Sequence, residues 1–138
     1  MRPLLDTHVW LWWLTSASDL ADRERRALDQ FATGEPPFLS AISMREAQLL
    51  VTKGRFTPPC AFESWLRLAA SPETVTLLPL DIEVVLELQR LPARFHGDPA
   101  DRLIVATARA HDLPLATHDR GIRRSRAVKV WRPRSTTY

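Results

Sequence analysis

Apolar positions in this chain fall into short uninterrupted runs that alternate with longer stretches of helical period. Residues 3–7, 38–41, 74–78 and 115–117 are brief apolar runs suited to buried strands, and 128–131 reads as a last edge strand. Helical patterns lie between them. Three tryptophans and two leucines fill 8–14, which predicts a short, mostly buried helix. Ser18 or Asp19 can cap a helix through about residue 32, with Leu20, Ala21, Ala27, Leu28 and Phe31 on one face and Gly34, Pro36 and Pro37 as its break. A helix over 43–52 is ended by Gly54. Pro58 and Pro59 start another over 60–70, where Phe62, Trp65, Leu66 and Ala69 recur at spacings of three and four. Asp81 caps a helix with Val84, Val85 and Leu88 inward. After a loop at 92–97, Pro99 opens the longest clear helix, running to residue 111.

Strands alternating with helices, with no internal repeat and no long linker, predict a three-layer α/β/α sandwich around a mainly parallel sheet. The 138 residues make a single domain, 1–138, with a basic C-terminal segment at 120–138. A parallel sheet gathers strand ends and helix starts on one edge, so side chains distant in sequence can meet there.

Acidic residues sit at those junctions. Asp6 interrupts the first apolar run at its end, where a charge must be solvated, paired, bound to metal or used as a helix cap. Ser43 and Glu46 have the spacing of a capping box, which alone could account for both. Asp98 before Pro99 makes a good cap, and Asp101 falls in the first turn, where the helix dipole favours an anion and the face of Ile104 and Val105 meets the sheet. Asp119 follows a strand through His118. It can serve a metal or form an Asx turn through Gly121, with the Thr117 hydroxyl beside it as a supporting group.

Four separated carboxylates suggest a divalent-metal hydrolase. His8, His96, His111 and His118 show neither His-x-x-x-His spacing nor a cysteine cluster, which argues against zinc. Oxygen donors favour magnesium, with manganese as a substitute. Cys60 is the single cysteine and reads as a small buried side chain. With no signal-like opening and no apolar run near the roughly 20 residues that span a bilayer, the expectation is a soluble, cytoplasmic protein without membrane contact.

The net charge of +3 conceals an asymmetry. From residue 120 onward there are seven basic residues and no acidic ones, so the first 119 carry 12 Lys and Arg against 16 Asp and Glu. An acidic body beside a basic tail suits a phosphodiester substrate, with Arg120, Arg123, Arg124 and Arg126 holding phosphates and the carboxylates holding metal. A solubilising tail is the plainer alternative.

Taken together, Leu-Leu-Asp-Thr-His-Val-Trp-Leu-Trp near the start, Leu-Ser-Ala-Ile-Ser-x-x-Glu in the first third, Asp-Pro-x-Asp-Arg-Leu-Ile-Val-Ala-Thr-Ala and Leu-x-Thr-x-Asp resemble the PIN-domain family, specifically its VapC-type toxins, over about residues 3–131. The resemblance implies a magnesium- or manganese-dependent endoribonuclease that cuts selected structured RNA, transfer or ribosomal. It also implies restraint by a cognate VapB-like antitoxin and assembly as a homodimer. It assigns Asp6, Glu46, Asp101 and Asp119 to the catalytic acidic pocket, with Asp98 as an additional acid and Thr117 as the polar companion of the last aspartate. Two positions depart from the pattern: Arg45 precedes the glutamate where an aromatic is common, and Ala100 stands where Asp-Pro-Phe-Asp is common. The competing classes are a non-catalytic RNA-binding or scaffold module of the same fold, and a metal-dependent DNA or flap nuclease.

Overall fold

The computed structural model describes residues 1–31, 34–93, 95 and 97–134. Four short parallel strands form its sheet: β1 (Leu4–Leu5), β2 (Phe38–Ser40), β3 (Thr76–Leu78) and β4 (Leu115–Ala116), in the order β3-β2-β1-β4. Seven helices connect or follow them among the described residues: α1 (Thr7–Thr15), α2 (Asp22–Phe31), α3 (Ala41–Thr52), α4 (Phe62–Ala69), α5 (Ile82–Arg90), α6 (Pro99–Ala110) and α7 (Arg120–Ser125). The expected three-layer sandwich with a parallel sheet is what forms.

Period-two alternation in the strands divides the core into two halves. Leu5, Leu39 and Ala116 pack into one cluster with Val9, Trp10, Trp13, Leu28, Ala47 and Trp65, so α1 to α4 supply that face. Leu4, Leu78 and Leu115 point to the other face and meet Leu91, Ile104, Val105 and Ala108 of the α5 and α6 region. The chain steps outward from β1 to β2 and β3, then returns past β1 to form β4. Strand order therefore reverses between β1 and β4, and the crevice outside their carboxyl ends is the place where such sheets take ligands.

Tryptophans lock the first face. Trp10 is fully buried, donates its indole N–H to the Ala69 carbonyl at 3.0 Å and lies 5.4 Å from the Trp65 ring. Trp13 donates to Asp29 at 2.8 Å. Ser16 closes α1 in the left-handed conformation at φ 56°, and the Arg25 guanidinium donates to the carbonyls of Trp13 and Ala17 at 2.8 and 2.7 Å. That clamp occupies the chain ahead of Asp22, so α2 begins there rather than at Ser18 or Asp19. Residue 32, its expected end, lies outside the described residues, as does His96.

Several other expectations change, the first on α5, where Val85, expected inward beside the fully buried Val84, is exposed. Helix α3 starts at Ala41 on the end of β2, capped by the Ser40 hydroxyl, which accepts from the Ile42 amide at 3.3 Å. The Ser43–Glu46 capping box therefore does not form: Ser43 is buried inside the helix, and its hydroxyl meets that of Thr7 at 2.9 Å. Cys60 is exposed, because α4 begins two residues later and Cys60 stays in the proline-led approach. The 128–131 segment makes a single bridge, Leu115 to Val130, where a full edge strand was expected. Last, α7 forms where only an Asx turn was considered. No helix among the described residues is long and apolar enough to cross a membrane.

The changed role of Ser43 is testable. Ser43→Ala should cost about 1–3 kcal/mol by stranding the buried Thr7 hydroxyl, whereas Glu46→Ala should cost less than about 0.5 kcal/mol because it removes no cap. Urea denaturation of both variants checks this, and an equal loss from Glu46→Ala would restore the capping box.

Candidate functional site

The acids that the sequence placed at element junctions come together at the carboxyl edge of the sheet. Asp6 leaves β1 and caps α1, its Oδ1 accepting from the Val9 amide at 2.8 Å. Asp98 caps α6 by accepting from the Asp101 amide at 2.8 Å. Gly97 leaves room for the Phe95 ring just before that cap, since a Cβ there would stand 2.7 Å from the ring. Asp119 leaves β4 and caps α7, accepting from the Ile122 amide at 2.9 Å. Capping engages one carboxylate oxygen, so capping and facing a cleft are compatible roles. Glu46, free of any capping box, sits half-buried one turn into α3.

Thr117 links two of these groups. Its hydroxyl accepts the Asp119 amide at 3.0 Å and hydrogen-bonds the Asp6 carboxyl. Asp6 is buried, which pushes its pKa up; the Thr117 hydroxyl and Val9 amide, then the nearby His8 and His118, partly offset that rise. Asp101 is pushed up to about 7, first by burial and then by repulsion from Asp98, Asp119, Asp6 and Glu46. All five carboxylates thus share one field.

They border a cleft with two lobes. One, of about 790 Å³, is lined by Asp6, Glu46, Asp98, Asp101 and Asp119 with His8, Trp12, Lys53, Arg55, Phe56 and His118. The other, of about 720 Å³, shares Asp98, Asp101 and Asp119 and is walled by Phe95, Ile122, Arg124 and Arg126. Among the described residues no three His, Cys, Asp or Glu side chains converge into a ready-made metal cage. The caps fix three of the acids on helix amides, and mutual repulsion favours separation over convergence. The donor chemistry nonetheless fits a hard divalent cation: oxygen ligands only, crowded enough to hold a proton near neutrality.

The arginines divide. Arg124 and Arg126 wall the second lobe, and Arg120 is exposed at the start of α7, but Arg123 donates through Nε to the Thr117 carbonyl at 2.8 Å and is tied to the backbone behind the acids. Sequence reasoning missed Glu24, whose carboxylate lies 2.8 Å from His118 Nε2; nothing in the polar pattern of α2 marks it, because the contact spans 94 positions. It also missed Lys53 and Arg55, although a basic pair flanking the glycine that ends α3 was a readable signal.

The PIN domain family model matches residues 4–127. The chain is 36% identical over 132 residues to Ribonuclease VapC22 of Mycobacterium tuberculosis, covering 93% of this chain and 97% of that protein. The chain belongs to the PIN-domain family, in its VapC-type branch. The fold agrees with this placement. A chain of the crystal structure of VapBC2 from Rickettsia felis bound to a DNA fragment from their promoter superposes with a TM-score of 0.72 at 18% identity, over 95% of this PIN domain and 98% of that chain. A chain of FitAcB from Neisseria gonorrhoeae does so with a TM-score of 0.65 at 27% identity, over 96% and 98%. Arg45, at the position where the sequence departs from the common pattern, is exposed and donates to Gln48 at 2.7 Å.

The charge crowding sets a pH dependence. The folded PIN domain holds the Asp101 proton more tightly than the unfolded chain, whose carboxyl titrates near 3.8. Stability is therefore lost as pH rises from about 4 through about 7. In chelator-treated protein, Asp101→Asn should be more stable than wild type at pH 8, by about 1–2 kcal/mol once solvent screening of this half-exposed group is allowed for, with the difference vanishing near pH 4. Thermal melts across that range check the sign, and a variant that is less stable at pH 8 would refute the crowding.

Proposed function

We propose that this PIN domain is a magnesium-dependent endoribonuclease, with manganese as a substitute, and the toxin of a toxin–antitoxin pair. Asp6, Glu46, Asp101 and Asp119 are its catalytic and metal-holding residues. Asp98 and Thr117 are auxiliary. The observation that carries the reading is the gathering of five carboxylates at the strand-order reversal, with Asp101 lifted to about 7 by burial and the other four. Its resemblance to Ribonuclease VapC22 supports the substrate class.

Bound magnesium would supply positive charge to offset the developing charge on the scissile phosphate and would make water a better nucleophile at neutral pH. Asp6 and Asp119, joined through Thr117, hold a fixed pair of oxygens at the ends of β1 and β4. Asp101, crowded by the other four acids when no cation is bound, is placed to help hold magnesium and to orient the attacking water. Glu46 closes the pocket from α3. Water attack leaves a 5′-phosphate and a 3′-hydroxyl. The alternative, attack by the RNA 2′-hydroxyl, calls for a histidine base, and His8 and His118 both border the lobe, so the chemical nature of the new ends separates the two routes.

Arg124 and Arg126 border the acids and face no carboxylate partner among the described ion pairs, which suits them to flanking phosphates; Arg120 is exposed at the start of α7 and is available to a longer strand. Structured RNA such as transfer or ribosomal RNA fits a cleft that reads shape and exposed single strands. A cognate VapB-like antitoxin suits the shallow apolar groove beside α4, lined by Met44, Phe62, Leu66 and Leu77. A second copy of the chain suits the exposed Ile82, Val85 and Leu86 of α5, whose burial would form a homodimer.

Lack of a ready-made cage favours one rival, a non-catalytic RNA-binding module. The two separate cleanly. Asp6→Asn and Asp101→Asn should each lower magnesium-dependent RNA cleavage by about 100-fold or more while the protein stays folded. Mapping new 5′ ends in cells after induction, with Asp6→Asn as control, gives the sites. Equal cleavage by wild type and both variants would refute the assignment, and RNA binding without cleavage in any divalent ion would favour the module.

A second test concerns the tail. Changing Arg124 and Arg126 to alanine should weaken RNA binding and flatten its salt dependence, by about one unit of slope for each phosphate no longer neutralised. Because Arg123 is tied to Thr117, Arg123→Ala should lower thermal stability before it lowers RNA affinity. A larger drop in salt dependence from Arg123→Ala would reverse that division.

A further inference from the structure

The first lobe of the cleft differs from the second in a way that metal chemistry leaves unexplained. Beyond the acids it presents Trp12, His8, His118 and Phe56, with Lys53 and Arg55 on its rim. Trp12 is only half-buried, while Trp10 and Trp13 of the same helix are buried and anchored through their indole N–H groups. The His8 ring stands 5.8 Å from Trp12 at a tilt of 48°. The His118 ring also meets Trp12, edge-on, at 5.4 Å and 86°. Glu24 holds His118 at 2.8 Å, so this aromatic wall is fixed in orientation before anything binds.

The cations are placed by helix period. Glu46, Leu49 and Leu50 of α3 and Lys53 at its C-terminal cap all line the lobe, and Glu46 and Lys53 are seven residues apart on one stripe. Two helical turns therefore separate the acid from the lysine, roughly 10 Å. Gly54, at φ +70°, ends the helix and turns Arg55 to the same rim. Lys53 and Arg55 are exposed and make no ion pair among the described residues.

We propose that this lobe is a stacking subsite for one unpaired nucleobase next to the cleaved phosphodiester, with Trp12 and His8 as the stacking wall and Lys53 and Arg55 holding the adjoining phosphate. The proposal rests on the nuclease reading and narrows its substrate to RNA unpaired at the cut. Charge selects the occupant. A phosphate is repelled from the acidic floor unless a cation intervenes, whereas a neutral base tolerates that floor and gains from aromatic faces. Its phosphate then falls at the cationic rim. The lobe's volume of about 790 Å³ is within the range of small-ligand pockets. A base held in a duplex cannot offer its face to Trp12, so the nucleotide must be unstacked. Arg124 and Arg126 wall the opposite lobe, so the strand crosses the acids from one cationic wall to the other.

The test uses the full chain in calcium, which allows RNA binding to be read without turnover, and two fluorescent probes: a hairpin RNA with an unpaired loop and a blunt duplex of the same stem. Trp12→Ala should weaken loop binding about 5- to 100-fold and leave duplex binding unchanged. Trp12→Phe should keep most of the affinity. Replacing loop bases one at a time with abasic sites should identify one position that weakens wild type strongly and Trp12→Ala hardly at all. Lys53→Ala with Arg55→Ala, on the exposed rim, should reduce the salt slope of loop binding without changing the thermal melt. An abasic penalty that persists undiminished in a folded Trp12→Ala, together with an unchanged salt slope in the rim variant, would overturn the subsite while leaving the nuclease standing. Should Trp12→Ala keep its RNA affinity and lose only antitoxin binding, the lobe is a protein-docking surface and the proposal is wrong. Wild type that neither binds nor cuts either RNA would overturn both readings.

Discussion

Carboxylate oxygens on the free amides of helix starts hold this molecule's edge together. Asp6, Asp98 and Asp119 each accept a backbone amide three residues on, at 2.8, 2.8 and 2.9 Å. Such a cap contributes about 1 kcal/mol and pins its side chain against one wall of the cleft. Strands of two residues cannot aim a side chain by themselves, and β1 and β4 are that short. The caps supply the missing constraint: they fix where each strand ends, where each helix begins and where each acid stands. Thr117 extends the arrangement by joining Asp6 to the Asp119 amide.

Concentrating negative charge in this way opposes folding. Three helix N-termini lend partial positive charge to the same edge, which offsets some of the repulsion. The remainder falls on Asp101, which lacks a capping role and is crowded by four neighbours. Stability is supplied elsewhere, by the tryptophan-lined face and by the second core under α5 and α6, where no buried polar side chain among the described residues lacks a partner. The acidic edge and the apolar interior are therefore complementary parts of one arrangement, since the rigid interior keeps the acids from separating further.

Much of this was legible in the sequence, and the failures have physical causes. Strand positions, the caps at Asp81 and Asp98 and the inward face of α6 follow from local periodicity and from amide satisfaction, which a short window contains. The Ser43–Glu46 box failed because Ser40 competes for the same helix start three residues earlier and wins by standing directly on the end of β2. Cys60 looked buried by residue type, yet the double proline holds it outside the helix that would have carried it inward. Helix α7 was hidden by Gly121, which reads as part of a turn; the Asp119 cap and the burial of Ile122 carry that turn on into a helix. The pairing of His118 with Glu24 had no local trace, because it depends on how α2 crosses the end of β4.

The position of Glu46 shows how one helix can serve two purposes. Its start is tied to the sheet by Ser40, and the Ser43 hydroxyl fastens it to Thr7 at the start of α1. These two contacts fix the rotation of α3 about its own axis. Once rotation is fixed, the stripe that brings Glu46 to the acids also carries Leu49, Leu50 and Lys53 along the lobe. A buried hydroxyl pair beside the acids thus determines which face of α3 the cleft meets. The acid near the start of the helix and the cation at its end are set by the same rotation, so the acidic floor and its cationic rim cannot be adjusted independently.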